Sequence, residues 1–298
     1  MKKQILMDNA LEAWISAIHY CNEIIEGKTT LGNRKFFVSS LENALELFIK
    51  QQMLNVCDYR VANARELSAN GEPMHSYLLT ENLNEYFYNL QMNDTGTMQK
   101  FFSAEFSKLI EWQKGLFEEY YESHPEDKNR MGEGLSLLKE LRNNETHFYI
   151  DESDFLKESE FVKLYNLMVA FFKILGYYHL LNYFGEAFGE NKLIDFQKDY
   201  IVSFSYKKQL KNSKSVEKIK RAIENGTFST ESGCDAYKIT EDLLTSCKEL
   251  ECFEFDELWA YIQMLLKNKL LSIHDEANEE EIEGSLVYNS YREYRIKI

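Results

Sequence analysis

Along most of this chain, apolar residues recur at the three-to-four-residue spacing of a helix with one buried face. Leu11, Trp14, Ile15, Ile18 and Ile25 set that spacing in a first helix expected over about 8–26, and Gly27 follows as its terminator. A second helix is expected to begin near Ser39, where Ser39 and Glu42 have the spacing of a capping box, and to continue through Leu41, Leu45, Phe48 and Gln52 toward Cys57. Two long helices joined by a short loop predict an antiparallel hairpin. The texture then changes over about 59–130. Asn-Gly-Glu-Pro at 70–73 precedes aromatic-rich helices expected over about 79–90 and 98–122, and a Pro-bearing break at 123–127 closes what reads as an insertion. Met131, Leu135 and Leu138 open a third core helix. Phe161, Leu164, Met168, Phe172 and Leu175 mark one face of a fourth, over about 159–184.

Beyond residue 189 the pattern shifts again. A lysine-rich helix over 207–221, a turn at Asn225-Gly226 and helical stretches near 237–249 and 255–269 precede an end of different character. Leu270 to Ile273, an acidic turn through Glu279, Glu280 and Glu281, and an alternating segment over 288–298 predict a β-hairpin. The expected fold class is therefore mainly α. A helical domain over 1–189, carrying the insertion, is followed by a smaller helical domain over 190–298 whose closing hairpin makes it winged-helix-like in succession.

Composition narrows the function classes. At 298 residues, 44% hydrophobic and 28% charged, the chain can bury a sizeable core, and two prolines (Pro73, Pro125) leave long helices uninterrupted. A net charge of −15 excludes a body coated in basic surface that binds nucleic acid indiscriminately, so any RNA contact must be local. The one concentrated basic run is Lys207, Lys208, Lys211, Lys214, Lys218, Lys220 and Arg221, preceded by Phe204 and Tyr206. It is a candidate RNA guide as well as an ordinary solvated helix face. Five cysteines without a paired framework indicate a reducing compartment. Asp8 and Glu12 break the apolar start, which excludes a signal peptide reading, and polar residues from Asn166 to Glu186 punctuate 165–189, so that stretch reads as a buried helix. A cytoplasmic protein is expected. No Gly-rich phosphate loop, His-Glu-x-x-His or Cys-x-x-Cys is present, so neither a metal site nor a cofactor is expected. Cys247 and Cys252 read as core thiols, and His19 and His179 as packed within apolar helices.

The chemistry concentrates in Arg142-Asn143-Asn144-Glu145-Thr146-His147-Phe148-Tyr149. Arginine offers a fixed fork of donors to phosphate oxygens, and an imidazole can take a proton from a ribose 2′-hydroxyl or return one to the leaving oxygen. Arg142 falls at the next step of the stripe Met131, Leu135, Leu138, where a charge needs a partner. Either a carboxylate of the second helix, Glu42 or Glu46, supplies it, or Arg142 faces a cleft or dimer seam where an RNA phosphate does. Five residues on, a regular helix would turn His147 about 140° away from Arg142. Asn143 and Asn144 are poor mid-helix residues, so a break there is expected to swing His147 back, and the Asn143 amide could hold the arginine or a phosphate oxygen.

RNNETH resembles the signature of the HEPN superfamily, and His147-Phe148-Tyr149 matches the His-x-Tyr extension of one of its branches. The resemblance covers about 5–187, although its specific part is the motif. It implies a four-helix bundle and a metal-independent endoribonuclease that attacks with the 2′-hydroxyl to leave a 2′,3′-cyclic phosphate. Arg142, Asn143 and His147 would be catalytic, with a homodimer supplying a second copy of each. It also implies a toxin or antiphage role, with an antitoxin or a nucleotidyltransferase partner able to add AMP at Tyr149. The alternative is a non-catalytic helical module that binds RNA, nucleotide or protein and uses Arg142 in a structural ion pair.

Overall fold

A computed structural model describes residues 5–61, 103–147, 155–181, 200–225, 228–229, 236–282 and 285–296. The expected insertion helix over 79–90, the boundary at 189 and Tyr149 lie outside them. The described residues are mainly helical and fall into two units. The first comprises Met1–Asn22 and Arg34–Phe204, the second Glu23–Asn33 and Ser205–Ile298.

Helix α1 (Ile5–Ile25) buries Met7, Leu11, Trp14, Ile18 and Ile24, close to the predicted stripe. Gly27 stops it in the left-handed region at φ 100°. The amides of Gly27 and Lys28 bond back to the carbonyls of Ile24 and Glu23 at 3.1 and 2.8 Å, a Schellman closure. Helix α2 (Leu31–Asn55) starts eight residues before the expected Ser39. Thr30 does the capping instead, its hydroxyl accepting the Asn33 amide at 3.1 Å. Ser39 is mid-helix, its hydroxyl bonded to the Phe36 carbonyl, and Glu42 is thereby available for a tertiary contact.

Helices α3 (Phe106–Leu116) and α4 (Glu118–Ser123) end the insertion, and α5 (Pro125–His147) begins on the proline itself. Pro125 fits a first-turn position, where no backbone N–H is needed. Helix α6 (Glu158–Tyr177) packs along α5. Gly134 permits that approach, since a Cβ there would stand 2.6 Å from Leu167 Cβ. At the centre Trp14 meets Phe48 and Phe171 edge-on, with ring centroids 6.4 and 6.0 Å apart, so α1, α2 and α6 share one aromatic core. Among the described residues no helix is long and apolar enough to cross a membrane.

In the second unit, α7 (Tyr206–Asn212) and α8 (Lys214–Asn225) divide the predicted lysine-rich helix at buried Ser213. Strand β1 (Phe228–Ser229), α9 (Ala236–Ser246), α10 (Phe255–Lys267) and the hairpin β2 (Leu271–Ile282) and β3 (Ser285–Ile296) complete it. The sheet order is β1-β3-β2, antiparallel throughout. The acidic run expected to be the turn lies within β2: Glu279, Glu280 and Glu281 pair with Tyr288, Val287 and Leu286. Opposite residues there are apolar or aromatic with high strand preference, which outweighs the weak strand preference of glutamate. Leu210, Val216, Ile219, Leu243, Leu258, Ile262 and Leu265 form the core. The α1–α2 turn belongs to this unit. Lys28 bridges Glu23 and Glu257 at 3.0 Å each, Thr29 reaches the Met264 sulfur, and the Gln209 carbonyl lies where a side chain on Gly27 would begin.

Candidate functional site

Helix α5 carries Arg142 one step off its buried face. Met131, Leu135, Leu138 and Leu141 are buried, so the apolar stripe continues to Leu141, and the expectation that Arg142 occupies its next position is corrected. The Arg142 side chain is 51% exposed, with its guanidinium 2.7 Å from the carboxylate of Glu42, whose side chain is 9% exposed. Of the two carboxylates considered from sequence, Glu42 is the partner. Glu46 instead pairs with Lys50 one turn along α2, and Lys50 also donates to Ser103 at 2.8 Å. A buried carboxylate paired with a half-exposed arginine fixes the guanidinium in place.

The predicted break at Asn143-Asn144 does not occur. Backbone helix continues through both asparagines to His147. The penalty of an asparagine inside a helix is only about 0.5 kcal/mol, small beside the packing of a helix that buries its face on α6. Arg142 and His147 therefore occupy positions turned about 140° apart on one regular helix. Asn143 is exposed beside Arg142. Downstream, α6 is anchored where Arg34, a buried cation of α2, donates to the Phe155 carbonyl.

The basic run sits in the second unit. Lys207, Lys208, Lys214, Lys218 and Arg221 are exposed, and Lys211 is half-buried. Arg221 is paired with Glu217 and Lys220 with Glu224 one turn on, which trims the positive charge available to a ligand. Cys247 is buried as expected, but Cys252 is exposed, as are His19 and His179. Among the described residues no cluster of His, Cys, Asp or Glu could hold a metal ion.

One polar constellation went unseen in the sequence. Asp127, in the first turn of α5 and 4% exposed at its side chain, accepts hydrogen bonds from Tyr120 at 2.8 Å, Arg130 at 2.9 Å and Tyr200, with Lys173 at 3.9 Å. Lys173 donates to the Tyr200 hydroxyl at 2.9 Å, and the Tyr200 ring lies 3.6 Å from the Arg130 guanidinium and 4.4 Å from the Lys173 ammonium. Burial pushes the Asp127 carboxyl upward, but the bonds from Tyr200, Tyr120 and Arg130 prevail and hold it below its ordinary value. Burial and the same carboxylate push both tyrosines up. Only Tyr120, Asp127 and Arg130, at helical spacing around a proline, were legible as neighbours, whereas Tyr200 is 73 residues from Asp127.

No family model matches the chain, no curated protein matches it, and no solved structure matches it.

Proposed function

We propose that the first unit is an HEPN-type, metal-independent endoribonuclease, with RNNETH at the end of α5 as its site. The observation that carries this reading is Arg142 itself: a half-exposed guanidinium tethered by the buried carboxylate of Glu42, five residues before a histidine. Arg142 binds the scissile phosphate and stabilises charge developing on its non-bridging oxygens. Asn143 contributes an amide to the same phosphate. His147 moves the proton of the attacking 2′-hydroxyl or of the departing 5′-oxygen, and the 2′-oxygen–phosphorus bond forms as the bond to the 5′-oxygen breaks. Because a straight helix turns Arg142 and His147 apart, we assign the complete site to two copies of the chain meeting across a two-fold axis, each supplying part of it. Lys207, Lys208, Lys211, Lys214, Lys218 and Arg221 guide the RNA strand. Helix succession and the β1-β3-β2 sheet order support a winged-helix-like reading of the second unit. A toxin or antiphage role, with an antitoxin or a nucleotidyltransferase acting at Tyr149, belongs to the same proposal, as does a cytoplasmic location.

Total RNA incubated with the protein in EDTA tests this. New 2′,3′-cyclic phosphate ends are expected; ends bearing 3′-hydroxyls, or intact RNA, contradict it. The Glu42 pair and the unbroken helix favour one second reading, a non-catalytic binding module in which Arg142 is structural. In that case RNA remains intact while Glu42→Gln and Arg142→Ala destabilise the fold equally.

A further inference from the structure

Residues 200–204 cross α5 and α6 as an extended strap, held by three attachments of different kinds. Tyr200 is bound to Asp127 and Lys173 and stacked by Arg130. One residue on, the backbone of Ile201 is gripped at both of its polar groups by the Asn166 side chain. The Asn166 amide donates to the Ile201 carbonyl at 2.9 Å, and the Ile201 N–H donates to the Asn166 oxygen at 3.0 Å. Phe204 then stacks on Phe161 at 4.4 Å. The partners Lys173, Asn166 and Phe161 descend α6 as the strap ascends in number, so the strap runs antiparallel to that helix. Immediately after it, Ser205 opens the second unit as the cap of α7, accepting the Lys208 amide.

Tyr200, Ile201 and Phe204 are only half-buried, so the strap brings limited apolar surface to the helices. Val202 is 94% exposed, and Ser203 is exposed beside it. Segments held largely by hydrogen bonds, with few buried apolar contacts, open at a small fraction of the global unfolding free energy. The helices beneath, by contrast, bury Met131, Leu135, Leu164, Met168 and Phe171 and do not depend on the strap for their core.

We propose that residues 200–204 are a detachable strap, latched by the Asp127–Tyr200 contact, which releases as a unit while the helices beneath it remain folded. Groups facing Asp127 come from every side: Tyr120 from α4, Arg130 from α5, Lys173 from α6 and Tyr200 from the strap. Removing a single hydroxyl or charge therefore weakens the latch without opening the core. The latch operates whether or not the first unit cleaves RNA.

Amide hydrogen exchange of the full chain tests this at Ile201, whose N–H bonds to Asn166 and not to Asp127, so a change there reports release of the strap as a unit. In Tyr200→Phe, exchange at Ile201 is expected to rise at least ten-fold, while interior amides of α5 and α6 keep their protection. Asp127→Asn gives the same pattern. Tyr200→Phe leaves Asp127 with Tyr120 and Arg130, so it retains the fold even where Asp127→Asn does not. Unchanged exchange at Ile201 in Tyr200→Phe, or a rise that spreads through α5 and α6, overturns the strap.

Discussion

Arg142 and Asp127 show how differently two charged residues of one helix are used. Asp127 is buried with its lone pairs engaged by three donors, so it serves the fold. Arg142 is half-exposed and paired with the buried carboxylate of Glu42, and the proposed function gives its exposed part the RNA phosphate. The pairing of Arg142 with one of two α2 glutamates was legible, because a charge beside an apolar stripe has few places to go. Its displacement from the stripe was not legible, since Leu141 and Arg142 compete for the same face and only packing against α6 decides between them. A double-mutant cycle on Glu42→Gln and Arg142→Ala, read by denaturant unfolding, is expected to give a coupling of about 0.5–1.5 kcal/mol, modest because the arginine is half in water. Asp127→Asn is expected to cost about 1–3 kcal/mol near neutral pH. A carboxyl held below its ordinary value stabilises the fold above that value, and the contribution disappears as pH falls through the folded one. The stability gap between the two proteins should therefore shrink below about pH 4, in unfolding curves measured at pH 7 and pH 3.

Element by element, periodicity located α1, α2, α5 and α6 and the closing hairpin, while capping chemistry misplaced two boundaries. Ser39 and Glu42 have capping-box spacing, but Thr30 with Asn33 caps α2 a full two turns earlier. The Asn143-Asn144 pair carries a local preference for ending a helix, and the tertiary contact between α5 and α6 overrides it. That contact depends on the absence of a side chain at Gly134. Gly134→Val forces Leu167 away and is expected to destabilise the first unit by about 1–3 kcal/mol in thermal unfolding. The hairpin's existence followed from strand-forming residues at both ends. Its turn did not, because Glu279 to Glu281 were read by charge when their register opposite Leu286, Val287 and Tyr288 makes them strand.

In the molecule as a whole, chain order and unit order differ: the α1–α2 turn, early in sequence, belongs with the C-terminal core through Lys28 and Thr29. No periodicity reports such an exchange. A net charge of −15 leaves only local patches for the RNA contact we propose, so on that proposal a Lys214→Glu, Lys218→Glu double variant should weaken RNA binding in low-salt titrations without altering the chemistry of cleavage. The central claim is that Arg142 and His147 together cleave RNA without metal. Single-turnover cleavage in EDTA should fall at least 100-fold in both Arg142→Ala and His147→Ala, and mixing the two variants should restore part of the activity through a composite site. Wild-type cleavage that survives either substitution, or a wild-type protein that leaves RNA intact, would contradict it.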